Sequence, residues 1–101
     1  MDLKITVDKD RGRVEIIGDV DEKGAEILKS KLQEMNHLKT VEIDFRQVAY
    51  IGSSGIGKLL LFYKNLSIHG GTLSVTRLQP DIFRLFQELK LDTIFSITAQ
   101  S

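Results

Sequence analysis

Cysteine is absent from this 101-residue chain. That removes disulfide staples, thiolate nucleophiles and Cys-ligated metal, and leaves the hydrophobic core to supply stability. Net charge is absent too: 14 Lys and Arg stand against 14 Asp and Glu. Without a global field to gather phosphate backbones or anionic lipid, direct nucleic-acid binding is not expected. Long apolar runs are missing as well. The longest, Leu59 to Phe62, is far short of the roughly 20 residues that a bilayer-spanning helix needs, so membrane insertion is not expected. The amino terminus is charged from Asp2 onward and does not resemble a signal peptide, which points to a cytoplasmic protein. No linker, repeat or low-complexity segment interrupts the chain, and a single domain over residues 1–101 is expected.

What is present is a regular alternation of patterns. Leu3, Ile5 and Val7 alternate with polar residues, as in a strand with one buried face. Lys9 to Gly12 reads as a turn, and Val14 and Ile16 restart the alternation, so the chain opens with an antiparallel hairpin. Gly18-Asp19-Val20-Asp21 breaks the pattern, with Asp21 placed to cap a helix. Ala25, Leu28, Leu32 and Met35 then form its core stripe, and Asn36-His37 ends it. Val41, Ile43 and Phe45 make a third strand. A second helix follows with an inner face of Ile56, Leu59, Leu60, Tyr63 and Leu66, stopped by Gly70-Gly71. Leu73 and Val75 form a fourth strand, and Pro80 and Asp81 suit the first turn of a third helix carrying Ile82, Leu85, Phe86 and Leu89. Ile94 to Ile97 is expected to be a fifth strand. Repeated strand-helix-strand units call for an α/β fold with a mixed, largely parallel sheet of about five strands and helices packed against it.

Chemistry-bearing clusters are few. His37 and His69 each sit near a helix end with no second metal ligand at useful spacing, and read as solvated residues. Neither is placed to serve a nucleophile elbow, and Ser54 does not lie in Gly-x-Ser-x-Gly spacing. Asp19 and Asp21 read as turn and cap. No catalytic residue, metal or cofactor is assigned. The informative segment is Ile51-Gly52-Ser53-Ser54-Gly55-Ile56-Gly57-Lys58, where a serine can be a helix cap, a phosphate ligand or a phosphate acceptor. Gly52 to Leu59 nearly fits the nucleotide-loop pattern, but its last position needs a magnesium-holding hydroxyl and has Leu59 instead. As a plain helix start, Ser53 or Ser54 would cap, Gly52 would permit the turn, and Gly55 and Gly57 would allow close packing. Two glycines in the first turns nevertheless cost on the order of 1 kcal/mol each relative to alanine, which suggests a need for backbone access.

Taken together, Gly18-Asp19-Val20-Asp21, Ile43-Asp44-Phe45 and Tyr50 to Gly57, followed by Gly70-Gly71, Leu85-Phe86 and Leu91-Asp92 before Ile94-Phe95, resemble the STAS domain family over nearly the whole chain. The resemblance implies a stand-alone anti-sigma factor antagonist. In such a protein the second serine of an Asp-Ser-Ser-Gly-like motif, here Ser54, is phosphorylated by an anti-sigma factor that is a serine kinase. The unphosphorylated form binds that partner and frees the sigma factor, and a serine phosphatase reverses the modification. The protein is then a kinase substrate and not an enzyme. Gly52 stands where many members carry aspartate, and Ser53 is the lesser acceptor candidate. On a helix advancing about 100 degrees per residue, Leu61 falls opposite the inner stripe and near Lys58. Ser54, Gly55, Lys58 and Leu61, with Gly52, Ser53 and the Asp19 to Asp21 turn nearby, are expected to form one partner-binding surface. The alternative is a STAS-like accessory subunit of a transporter ATPase or signalling assembly that is not phosphorylated.

Overall fold

A computed structural model describes residues 1–100. Its elements follow the sequence pattern: β1 Asp2–Asp8, β2 Arg11–Ile17, α1 Glu22–Gln33, β3 Thr40–Gln47, α2 Ser53–Ile68, β4 Thr72–Leu78, α3 Pro80–Glu88 and β5 Ser96–Ala99. The five strands form one sheet in chain order, β1 antiparallel to β2 and every later pair parallel. Parallel neighbours require a crossover, and the three helices supply them.

Register explains where the core lies. Gly12 and Val14 of β2 align with Val41 and Ile43 of β3, which align with Leu73 and Val75 of β4. These residues share one face, and Leu28 and Leu32 of α1 and Leu59, Phe62 and Leu66 of α2 bury themselves in the same cluster. The α3 helix joins it through Phe86, whose ring meets Phe45 edge-on at 5.9 Å. Sequential winding thus leaves the helices on one side of the sheet and polar residues on the other.

Several expectations change. Leu3, Ile5 and Val7 do point to the helix side, opposite Ile16, Val14 and Gly12. At the outermost strand, however, only Leu3 packs against the core, and Val7 is 53% exposed. The α1 helix ends at Gln33, before Asn36-His37, although Met35 beyond it remains buried. On α2 the deepest residues are Gly55, Leu59, Phe62 and Leu66, while Ile56, Leu60 and Tyr63 are only partly buried. Phe62 was not part of the expected stripe. The last strand starts later than Ile94: Leu91–Thr93 form a single 3₁₀ turn that sinks Leu91 and Phe95 into the core and leaves Ile94 exposed. Gly70 does adopt the left-handed conformation, φ 79°, and the amide of Gly71 bonds back to the Leu66 carbonyl at 2.9 Å.

On the helix-free face, Asp44 is the buried charged side chain among the described residues. Both Arg13 of β2 and Arg77 of β4 donate to its Oδ2, and the Arg46 amide donates to Oδ1 at 2.9 Å. Strand alternation would send Arg77 to the side of Val75. A left-handed kink at Arg77, φ 54°, together with a register shift between Val75 and Leu78, turns it toward Asp44 instead. Burial alone would raise the Asp44 carboxyl, but hydrogen bonds from Arg77 and the Arg46 amide, with the Arg77 charge and Arg13, hold it below the usual carboxylate value. A depressed folded value means that the stabilisation is fully present above about 3.9, the unfolded aspartate value, and is lost as pH falls through the lower folded one. Asp44→Asn should therefore destabilise the domain by roughly 2 kcal/mol at neutral pH. Urea titrations should also show a shallower loss of stability for the variant than for the wild type below about pH 4.

Candidate functional site

Two short loops at the carboxyl ends of β2 and β3, together with the α2 helix that follows the second, carry the residues singled out by the sequence. The loops are joined as an extra rung of parallel sheet: the Val20 amide donates to the Tyr50 carbonyl at 2.9 Å, and the Gly52 amide to the Val20 carbonyl at 3.1 Å. The starts of α1 and α2 are thereby fixed side by side.

These two starts differ chemically. Asp21 caps α1, its Oδ1 accepting from the Gly24 amide at 2.8 Å. The cap position of α2 is Gly52, which has no side chain to offer, and neither serine takes over that role. Ser53 and Ser54 lie one and two residues inside the helix, in its first turn, and both are exposed. The expected serine cap is therefore not formed, and both hydroxyls are free for other chemistry. The backbone at Gly52 is ordinary extended chain, φ −86°, so no turn demands glycine there. Instead the Tyr50 hydroxyl occupies the space above it, 2.9 Å from where a Cβ would stand.

The α2 glycines also divide. A Cβ on Gly55 would lie 2.8 Å from both Ile51 Cγ1 and Val20 Cγ1, so this position is closed by packing against the bridge. Gly55 is buried and sets how closely α2 approaches the bridge. Around Gly57 a Cβ would meet nothing within 4 Å, so the close packing expected there is not found. Ser53 through Lys58 are helical and Leu59 is wholly buried, which leaves no open loop of backbone amides in which a nucleotide phosphate could be cradled.

Two depressions meet at Ser54. A cleft of about 310 Å³ is lined by Asp21, Glu22, Tyr50, Gly52, Ser53 and Ser54. Beside it, a groove of about 700 Å³ runs between the two helices. Its α2 wall is Ser54, Gly57, Lys58 and Leu61, one helical face at spacings of three and four, and Leu61 is 39% exposed. Its α1 wall includes Glu22, Glu26 and Ile27, and Lys58 Nζ reaches across to Glu26 Oε1 at 3.4 Å. Ser54, Lys58 and Leu61 thus share the groove, and Asp21, Gly52 and Ser53 border the adjoining cleft. Gly55, expected on the same surface, is buried against the bridge and lines neither depression, and Asp19 is an exposed loop residue outside both. Sequence reasoning missed the α1 wall. Ile27, 44% exposed, lies about 100 degrees from Leu28, and an apolar residue so far off the buried stripe was the available signal.

A family model described as "Mlab, STAS domain" matches residues 4–98. The chain belongs to the STAS family. Over 90 residues it is 30% identical to the anti-sigma-B factor antagonist of Bacillus subtilis, covering 88% of this chain and 83% of that protein. Among solved structures, an anti-sigma factor antagonist from Mycobacterium paratuberculosis matches with a TM-score of 0.84 at 21% identity, covering 96% of this chain and 84% of the other. The Bacillus cell fate determinant SpoIIAA in its phosphorylated form matches with a TM-score of 0.77 at 18% identity, covering 95% and 90%. The architecture of this STAS domain is shared with both.

In this STAS domain the two α2 glycines should respond oppositely to alanine. Gly55→Ala forces Ile51 or Val20 aside and should cost about 1–3 kcal/mol, the usual penalty for overpacking. Gly57→Ala meets open space and should gain up to about 1 kcal/mol of helix propensity. Chemical denaturation of the two variants reads both signs.

Proposed function

We propose that this STAS domain is an anti-sigma factor antagonist in which Ser54 accepts a phosphoryl group from an anti-sigma factor serine kinase. The observation that carries this reading is the place of Ser54. It is the serine that borders both the cleft at the start of α2 and the groove between α1 and α2, whereas Ser53 borders the cleft alone. The hydroxyl is exposed, and capping does not occupy it. The relationship to the Bacillus subtilis antagonist supports the same reading.

The charges of the groove supply a switch. Glu22 and Glu26 are balanced there by Lys23 and Lys58. A phosphate on Ser54 adds roughly −1.5 to −2 charge at neutral pH, so a balanced surface with exposed Ile27 and Leu61 becomes an acidic one. A partner that buries those two apolar side chains loses affinity when it must also desolvate a dianion. The unmodified domain then holds the anti-sigma factor and frees the sigma factor, the phosphorylated domain lets it go, and a serine phosphatase restores binding. Gly52 in place of aspartate leaves less negative charge beside the acceptor, which eases the arrival of a phosphate by Coulomb's law.

Incubation with the anti-sigma kinase and ATP should add one phosphate to the protein, read by intact mass, and Ser54→Ala should abolish it. Leu61→Glu should leave the fold intact, because the side chain is exposed, and weaken kinase binding by about tenfold or more, measured by titration calorimetry. Unchanged binding would remove Leu61 from the docking surface. Stable copurification with a transport assembly, indifferent to Ser54→Asp, would favour the accessory-subunit reading instead.

A further inference from the structure

Resting on the reading of Ser54 as the acceptor, we propose that Lys58 receives the phosphate and releases Glu26 to do so, exchanging an ion pair between two helices for one within α2. Ser54 and Lys58 occupy positions i and i+4 of α2 and line the same groove. Such pairs stand about 5–6 Å apart at Cβ, and an anion one turn before a cation is the favourable order. Long helical side chains lean toward the helix start, which aims the Lys58 stem at Ser54.

The unmodified pairing is easily displaced. Lys58 Nζ stands 3.4 Å from Glu26 Oε1, and the Glu26 side chain is 67% exposed. A solvated carboxylate of this kind holds a lysine weakly and loses little when water replaces it. A phosphate offers nearly twice the charge and three acceptor oxygens from the lysine's own helix. In the transfer itself, Ser54 Oγ bonds to the γ-phosphorus of ATP as the bond from that phosphorus to its bridging oxygen breaks. ADP departs, and the hydroxyl proton passes to a base of the kinase. After the exchange Glu26 is unpaired next to Ile27, so a partner at the groove meets a bare carboxylate on α1 as well as the phosphate on α2. A modification on one helix thereby changes the chemistry of the other with no movement of either backbone.

The test is a phosphorus NMR titration of the full chain with phosphoserine installed biosynthetically at position 54. The second phosphate ionisation constant should be roughly 1.5- to twofold larger in the otherwise wild-type protein than in Lys58→Gln. Glu26→Gln should enlarge it further, and that increase should shrink in the Lys58→Gln background, which separates competition for Lys58 from direct repulsion. Superimposable curves for the wild type and Lys58→Gln would overturn the proposal. Equal effects of Glu26→Gln in both backgrounds would overturn the exchange. Because the phosphoserine is installed without a kinase, failure of the kinase to modify Ser54 would count against the proposed function and not against this ion-pair exchange.

Discussion

The bridge between Val20 and Ile51 is the constraint on which the site depends. Two amide-to-carbonyl bonds tie the loop before α1 to the loop before α2, and Gly55 lets α2 settle against the same two side chains. Ser54 therefore faces the groove because the backbone beneath it is held, not because its own side chain is anchored. This division suits the acceptor role proposed for Ser54. A hydroxyl that capped the helix would be needed by the fold, and a hydroxyl on a mobile loop would have no fixed neighbours. In the first turn, above a closed backbone, it is both accessible and oriented.

How much of this was legible in the chain depended on the kind of signal. Strand alternation and helical spacing are local, so the order of elements, the Asp21 cap and the exposure of Leu61 could be read directly. Burial at the margins could not. Val7 alternates as regularly as Val14, and only the sheet order makes one an edge residue and the other core. Ser53 and Ser54 have the residue type of a cap, yet the cap position falls on Gly52, just before both, a difference no propensity resolves. Of the α1 wall only Ile27 left a local signal; the pairing across the groove left none, because Glu26 and Lys58 are 32 positions apart and nothing in either helix alone announces that they meet.

The two sides of the sheet use charge in contrasting ways. On the helix-free face Asp44 is fully enclosed by Arg13, Arg77 and the Arg46 amide, and these bonds stitch β2, β3 and β4 together. Its partners are fixed, and a left-handed residue is tolerated at Arg77 to keep them so. In the groove, by contrast, Lys58 and Glu26 are a loose pair at the surface. Rigid electrostatics therefore belong to the sheet and the looser pair to the helices, which separates the charge that maintains the fold from the charge that the proposed modification would redirect.

That the strands lie in the sheet in the order in which they occur in the chain bears on how the protein comes into being. Each crossover returns to the strand just laid down, so every parallel pairing closes a ring of one strand-helix-strand unit, as between Val14 and Ile43 or Ile43 and Val75, and none spans the whole chain. Only the amino-terminal hairpin is a local pairing, and the parallel pairs that follow it form more slowly. On a ribosome the sheet can grow from its amino-terminal hairpin outward, and β3 and the start of α2 have their partners waiting before β4 and β5 are made. Every residue lining the groove and the cleft at Ser54 is thus synthesised before the last two strands.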